Sequence, residues 1–138
     1  MCFLGVDIGG TSVRSLVTDA GGKILGYQRI ARVSHESLWQ AINDCLGTVL
    51  AQSSVVHVEA AVVGAAGAGP TGNHDVCQSV EKAFRAVGLD VTPQVVTDIE
   101  IAYWSAAVLG DGSILVAGTG AIAGRFSEWR CVDRRDGA

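Results

Sequence analysis

The chain has 138 residues, of which 49% are hydrophobic and 6% aromatic, and it carries 18 glycines, four cysteines and a formal net charge of −4. This length suits one domain with an aliphatic core and excludes two complete domains. The acidic balance excludes nucleic acid and anionic membrane surfaces as expected partners, and the longest apolar run, residues 60–68, is about half of a bilayer span. We therefore predict a soluble, cytoplasmic α/β protein.

The N-terminal part predicts a three-stranded antiparallel meander followed by a helix. Residues 2–8 are almost all apolar, and two further strands follow at 12–19 and 23–31, separated by glycine-containing turns. Apolar residues then recur at helical spacing over 36–52, and Ser34 is the expected N-cap.

The middle of the chain alternates strands with helices. We predict a strand at 57–66, a helix at 73–87, a strand at 93–98 and an alanine-rich, buried helix at 99–109. The order is βββαβαβα, in which a crossover helix makes the last two strands parallel. The sequence therefore predicts a mixed five-stranded sheet.

The C-terminal part repeats the pattern of the N-terminal meander. A short apolar strand at 113–117 leads into a glycine-threonine turn, AIAGRF and WRCV, in the same order as in FLGVDIGGTSVRSLVTD. We therefore expect residues 1–110 to form one lobe and residues 111–138 to begin a second, incomplete lobe, so that the chain looks truncated.

The first glycine turn has the composition of a phosphate-binding loop. Gly9 and Gly10 leave backbone N–H groups accessible to an anion, and the Thr11 hydroxyl adds a donor. Asp7, at the end of the buried strand, is placed to hold Mg²⁺ through water beside the phosphates. The alternative is a plain glycine hairpin with a capping aspartate.

The repeat supplies a second turn of this type at Gly118, Thr119 and Gly120. Two related hairpins that face each other could hold a polyphosphate from both sides, which a single glycine turn would not predict. The alternative is a chance Gly-Thr-Gly turn.

Asp98 ends the apolar strand VVTD and should therefore lie at the carboxyl edge of the sheet, where α/β proteins bind ligands. In a kinase such a carboxylate would accept the proton of the attacking hydroxyl. The alternative is that Asp98 only caps a helix beginning at Ile99.

The glycines at the end of the strand at 57–66 allow two interpretations. One is that they let a ligand approach the backbone closely, and the other is a dinucleotide-binding turn. Residues 67–72 satisfy G-x-G-x-x-G between a strand and a helix, which is the context of a dinucleotide fingerprint. Pro70 stiffens that turn, however, and a dinucleotide unit would not explain the two glycine-threonine turns outside it.

Four segments, DIGGTSVRSLVTDAGGKIL, VVGAAGAG, VVTD and ILVAGTGAIA, together resemble the actin-like sugar kinase superfamily, specifically the N-acetylglucosamine kinase and BadF/BadG-type ATPase family. The resemblance implies duplicated RNase-H-like domains, ATP and Mg²⁺ as cofactors and an amino sugar as substrate, with a homodimer as an open option. It also implies Gly67, Ala68 and Asp98 as sugar contacts, and little turnover by residues 1–138 alone. An activator ATPase and a non-catalytic sugar sensor are the alternatives.

Overall fold

The computed structural model describes residues 1–68, 74–118 and 120–137. The elements alternate as the sequence predicts, and the fold class is α/β. The strands are β1 Cys2–Ile8, β2 Ser12–Asp19, β3 Ile24–Ala31, β4 Ala60–Ala65, β5 Gln94–Thr97, β6 Gly112–Ala117, β7 Ala121–Ser127 and β8 Arg130–Gly137. The helices are α1 Leu38–Ser53, α2 His74–Ala86 and α3 Asp98–Ala106.

The first sheet has five strands in the order β3-β2-β1-β4-β5. Strands β1, β2 and β3 form an antiparallel meander, whereas β4 and β5 run parallel to β1. The predicted mixed five-stranded sheet is therefore confirmed. The helix α2 connects β4 to β5, as a crossover between parallel strands requires.

One face of this sheet packs against α1 and α2 and forms the main core. The core consists of aliphatic side chains, as the composition predicts, and includes Val6, Val13, Ile42, Leu46, Val63 and Val80. One polar pair lies inside it, since the Ser15 Oγ is 3.1 Å from the Cys45 Sγ. Burial raises the pKa of the Cys45 thiol, so the group stays neutral in the folded protein.

The helix α3 covers part of the opposite face and also contacts the second sheet. A Cβ atom on Gly64 of β4 would lie 2.4 Å from the Ile101 Cγ2, and one on Gly124 of β7 would lie 2.8 Å from the Ile99 Cδ1. The Tyr103 ring stacks on Phe126 of β7 at a centroid distance of 3.9 Å. The helix therefore lies between the two sheets, as expected for a segment that is apolar nearly all round.

The second sheet contains β6, β7 and β8 in that order, and both pairings are antiparallel. This is the same meander as β1-β2-β3, so the repeat in the sequence corresponds to a repeat in structure. A second sheet thus begins after α3, as predicted.

Several predicted boundaries are wrong. The N-cap of α1 is Ser37 rather than Ser34, and β4 covers only 60–65 of the predicted 57–66. The helix α3 ends at residue 106 rather than 109, because Ala107 adopts an extended conformation. Within the described ranges, no helix has the length and apolar character needed to cross a membrane.

Candidate functional site

The parallel strands of the first sheet end together at one edge. Ile8 of β1 pairs with Ala65 of β4, which in turn pairs with Thr97 of β5. The segments that follow these three strands therefore leave the sheet side by side. They contain the first glycine turn, Gly67 with Ala68, and Asp98, so this edge brings together the site residues predicted for the first lobe.

The first turn, residues 9–11, presents unused backbone donors. The Gly9 N–H donates to the Ser12 carbonyl at 2.9 Å, and Arg32 donates to both the Thr11 and Gly9 carbonyls. Among the described residues, no acceptor meets the N–H groups of Gly10 and Thr11 or the Thr11 hydroxyl. The turn therefore has fixed carbonyls and free, exposed donors, which suits an anion.

Asp7 lies one residue before the end of β1, on the face opposite Val6 and Ile8, and its side chain is half-buried. Its cross-strand neighbours are Gly64 on β4 and Arg14 on β2. No cation in the described part of the chain lies within ion-pair distance of its carboxylate. A single half-buried carboxylate can hold Mg²⁺ beside phosphates, because this ion keeps most of its water.

Arg14 is a candidate site residue that our sequence analysis missed. Its side chain is exposed and projects from the same face of the sheet as Asp7, on the strand that follows the glycine turn. A symmetric hairpin pairs residues at equal distances from its turn, so the pairing of Arg14 with Asp7 could have been predicted from the sequence. Arg14 thus adds a positive charge to the face of the sheet that carries Asp7.

Asp98 is the first residue of α3, and the N-cap is Thr97. The alternative in which Asp98 itself caps the helix is therefore wrong. The Asp98 Oδ1 accepts a hydrogen bond from the Ile99 N–H at 2.9 Å. The side chain is half-buried at the sheet edge, where it could meet a ligand.

The second glycine turn lies at the same end of the molecule as Asp98. Strand β7 runs alongside α3 in the same direction, with Gly124 over Ile99 and Phe126 over Tyr103. Gly120 precedes Gly124 by four residues of extended chain. It should therefore lie roughly 13 Å from Gly124, in the direction of the N-terminal end of α3. The Gly118 N–H donates to the Gly120 carbonyl at 2.8 Å, and Thr119 lies outside the described residues.

Gly67 and Ala68 form a turn immediately after β4. Gly67 has a φ of +79°, which favours glycine, and the Ala68 N–H donates to the Ala65 carbonyl at 3.3 Å. Residues 69–73 lie outside the described ranges, so the dinucleotide alternative for 67–72 stays untested. The assignment of Gly67 and Ala68 as sugar contacts also stays a prediction.

Comparison with known proteins defines the fold. No family model matches the chain, and no curated protein does. A candidate N-acetylglucosamine kinase from Porphyromonas gingivalis superposes with a TM-score of 0.73 at 16% identity over 96% of this chain and 47% of its own. A ROK-family glucokinase from Streptomyces griseus, solved with glucose and AMPPNP, superposes with a TM-score of 0.66 at 23% identity, over 100% of this chain and 48% of its own. The chain has the actin-like ATPase fold.

The same fold also occurs in a protein that is not described as a kinase. The ethanolamine utilization protein EutJ from Carboxydothermus hydrogenoformans superposes with a TM-score of 0.67 at 14% identity, over 99% of this chain and 51% of its own. The chain spans about half the length of each of these three structures. Likeness at this identity establishes the fold, whereas the reaction must be argued from the site.

Proposed function

We propose that the protein is an ATP-dependent sugar kinase that transfers the γ-phosphate to a hydroxyl of an amino sugar, with N-acetylglucosamine as the first candidate. One observation carries the proposal: the first glycine turn, Gly67 with Ala68, and Asp98 follow parallel strands that end together at one edge of the first sheet. The proposal includes two lobes, residues 1–110 and the opening strands of a second from residue 111, with a cleft between them. It also includes a cytoplasmic location.

The two turns would hold the phosphates from opposite sides. In this proposal the free N–H groups of Gly10 and Thr11 would bind the anion from the first lobe, and Gly118 and Gly120 would approach it from the second. Arg14 would add charge on the side of the first turn. Asp7 would hold Mg²⁺ through water, and the bound ion would neutralise charge between the phosphate oxygens.

Asp98 would act on the sugar. Its Oδ1 is held by the Ile99 N–H, so the carboxylate is oriented before the substrate arrives. In phosphoryl transfer the protein mainly positions the nucleophile and receives its proton, so the placement of the aspartate is its main contribution. Gly67 and Ala68 would let the sugar approach the backbone beside this carboxylate.

The sugar-kinase assignment draws on the names of the structural neighbours as well as on the site. These include candidate N-acetylglucosamine and N-acetylmannosamine kinases and a glucokinase. The activator-ATPase alternative needs cysteines near the nucleotide loops, but Cys2 begins the seven-residue strand β1 and Gly9 follows its other end, roughly 20 Å away. Cys131, by contrast, lines a cavity with Thr97 and Glu100, so only the position of Cys2 counts against the activator ATPase.

The test uses the full-length protein, because little turnover is expected from residues 1–138 alone. It compares the wild type with Asp98→Asn and Asp90→Asn, using ADP release in the presence of glucose, N-acetylglucosamine or N-acetylmannosamine. Asp98→Asn should lower kcat by about 10²–10⁴-fold and leave ATP affinity unchanged. Asp90 is exposed, in the loop before β5 at the opposite edge of the sheet, so its variant is a matched control and should keep the wild-type rate. Sugar binding without turnover by the wild-type protein would favour the sensor, and full activity of Asp98→Asn would overturn the proposed role of that residue.

A further inference from the structure

Glu100 closes the N-terminal cap of α3. The Thr97 N–H and the Thr97 hydroxyl both donate to the Glu100 Oε2, at 2.9 and 2.8 Å. The Glu100 N–H lies 3.3 Å from the Thr97 Oγ1, which accepts from it. This reciprocal arrangement is a capping box, and it fixes the first turn of the helix. Glu100 is therefore occupied by the helix terminus rather than being a freely solvated acid.

Asp98 lies inside this capped turn, as the first residue of α3. Its Oδ1 accepts from the Ile99 N–H, which belongs to the turn that Glu100 holds. No donor in the described part of the chain meets the other carboxylate oxygen, Oδ2. One oxygen is therefore held by the helix, and the second is available to a ligand.

We propose that Glu100 is a positioning residue for Asp98, and that it acts through the cap without touching the substrate. This inference rests on the proposed function, because the orientation of Asp98 matters to a reaction only if this carboxylate meets the sugar hydroxyl. A displacement of about 1 Å at a reacting group can cost about 100-fold in rate. Loss of the cap should therefore appear in kcat.

A glutamine at position 100 should preserve the positioning role. Its amide oxygen can accept the same two hydrogen bonds from Thr97, as glutamine does in other capping boxes. A role in which the carboxylate charge contacts the substrate would be lost in Glu100→Gln. The side chain also borders a cavity of about 200 Å³ with Cys131 and Arg134, and Glu100→Gln separates a ligand contact in that cavity from the capping role.

The helix α1 offers a matched control. The Ser37 N–H and hydroxyl both donate to the Gln40 Oε1, at 3.2 and 2.7 Å. The first helical residue there is Leu38, which carries no chemistry of the proposed reaction. Gln40→Ala therefore removes the same two bonds at a helix that holds no proposed catalytic group.

The kinetic test measures kcat and the KM for ATP and sugar in the full-length protein. Glu100→Ala should lower kcat about 10- to 100-fold with little change in the KM for ATP. Glu100→Gln should restore kcat to near the wild-type value, and Gln40→Ala should keep it. Both alanine variants should lower Tm by a similar few degrees. An equal kcat loss in Gln40→Ala, or a Glu100→Gln variant as impaired as Glu100→Ala, would overturn the proposal.

A second measurement separates this inference from the proposed function. Amide hydrogen exchange at Ile99 and Glu100 should accelerate about tenfold in Glu100→Ala and stay at the wild-type rate in Glu100→Gln. Unchanged exchange in Glu100→Ala would overturn the positioning role even if turnover fell. A wild-type protein without turnover would overturn the proposed function, and the exchange rates would still decide whether Glu100 orders the turn that holds Asp98.

Discussion

Replacing Gly64 by alanine should displace α3 and destabilise the protein. The new Cβ would lie 2.4 Å from the Ile101 Cγ2 and 2.9 Å from the Ile101 Cβ. Carbon atoms in contact prefer about 3.5–4.0 Å, so roughly 1 Å of movement is required. Rotation of the isoleucine cannot supply it, because the Cβ atom lies on the rotation axis and this side chain has one favoured rotamer in a helix. The helix itself must move.

Gly64→Ala should lower the free energy of unfolding by about 1–3 kcal/mol, which is the usual cost of overpacking a well-filled contact. Urea unfolding followed by tryptophan fluorescence should detect it as a lower midpoint for Gly64→Ala. Gly47→Ala is the control: Gly47 is exposed in α1 and a Cβ there meets no atom within 4 Å. This control should gain about 0.5–1 kcal/mol through helix propensity.

A double variant tests the assigned cause. Ile101→Ala removes the Cγ2 and Cδ1 atoms that lie 2.4 and 3.0 Å from the new Cβ and leaves only the Cβ of residue 101 at 2.9 Å. Gly64→Ala should therefore cost less in that background. The coupling energy should be at least about 1 kcal/mol, within the range seen for residues in contact. A Gly64→Ala variant as stable as the wild type, or additive single and double variants, would refute the reasoning.

Two further predictions concern the core and the contact between the sheets. Burial raises the pKa of Cys45 in the folded protein. The contribution of this thiol to stability is therefore present below its ordinary pKa of about 8.5 and falls as the pH rises above that value. In urea unfolding between pH 7 and 10, the free energy of unfolding should decline less steeply with pH in Cys45→Ala than in the wild type, and an equal slope would contradict this. Trp104→Phe removes the 2.9 Å hydrogen bond from the Trp104 Nε1 to the Trp129 carbonyl and should lower the free energy of unfolding by about 0.5–1.5 kcal/mol. Trp39 has no such acceptor for its indole N–H in the described chain, so Trp39→Phe should lower it less.

The order of elements could be predicted because the periodicity of apolar residues is a local property. The apolar run of β1, the helical spacing in α1 and the glycine-containing turns each identify their element without knowledge of the rest of the chain. The repeat of the meander was visible for the same reason. The boundaries were less predictable, since Ala107 leaves the helix within a sequence that is still apolar and rich in alanine.

The N-caps of α1 and α3 are both marked in the sequence by a capping-box pattern. Ser34 and Asp98 are acceptable N-caps by residue type, yet the structure uses Ser37 and Thr97. The deciding feature is the glutamine or glutamate three residues after each true cap, which completes a capping box. Residue type alone could not choose between neighbouring candidates, whereas the spacing could have done so.

The position of α3 could not be predicted, because it depends on contacts far apart in the sequence. Gly64 admits Ile101 on one side of the helix, and Gly124 admits Ile99 on the other. In the sequence, either glycine alone would be interpreted only as a residue that weakens its strand. Together they let both sheets approach the helix that begins with Asp98. The location of the proposed base thus depends on both sheets, so a substitution at either glycine should affect Asp98 without touching it.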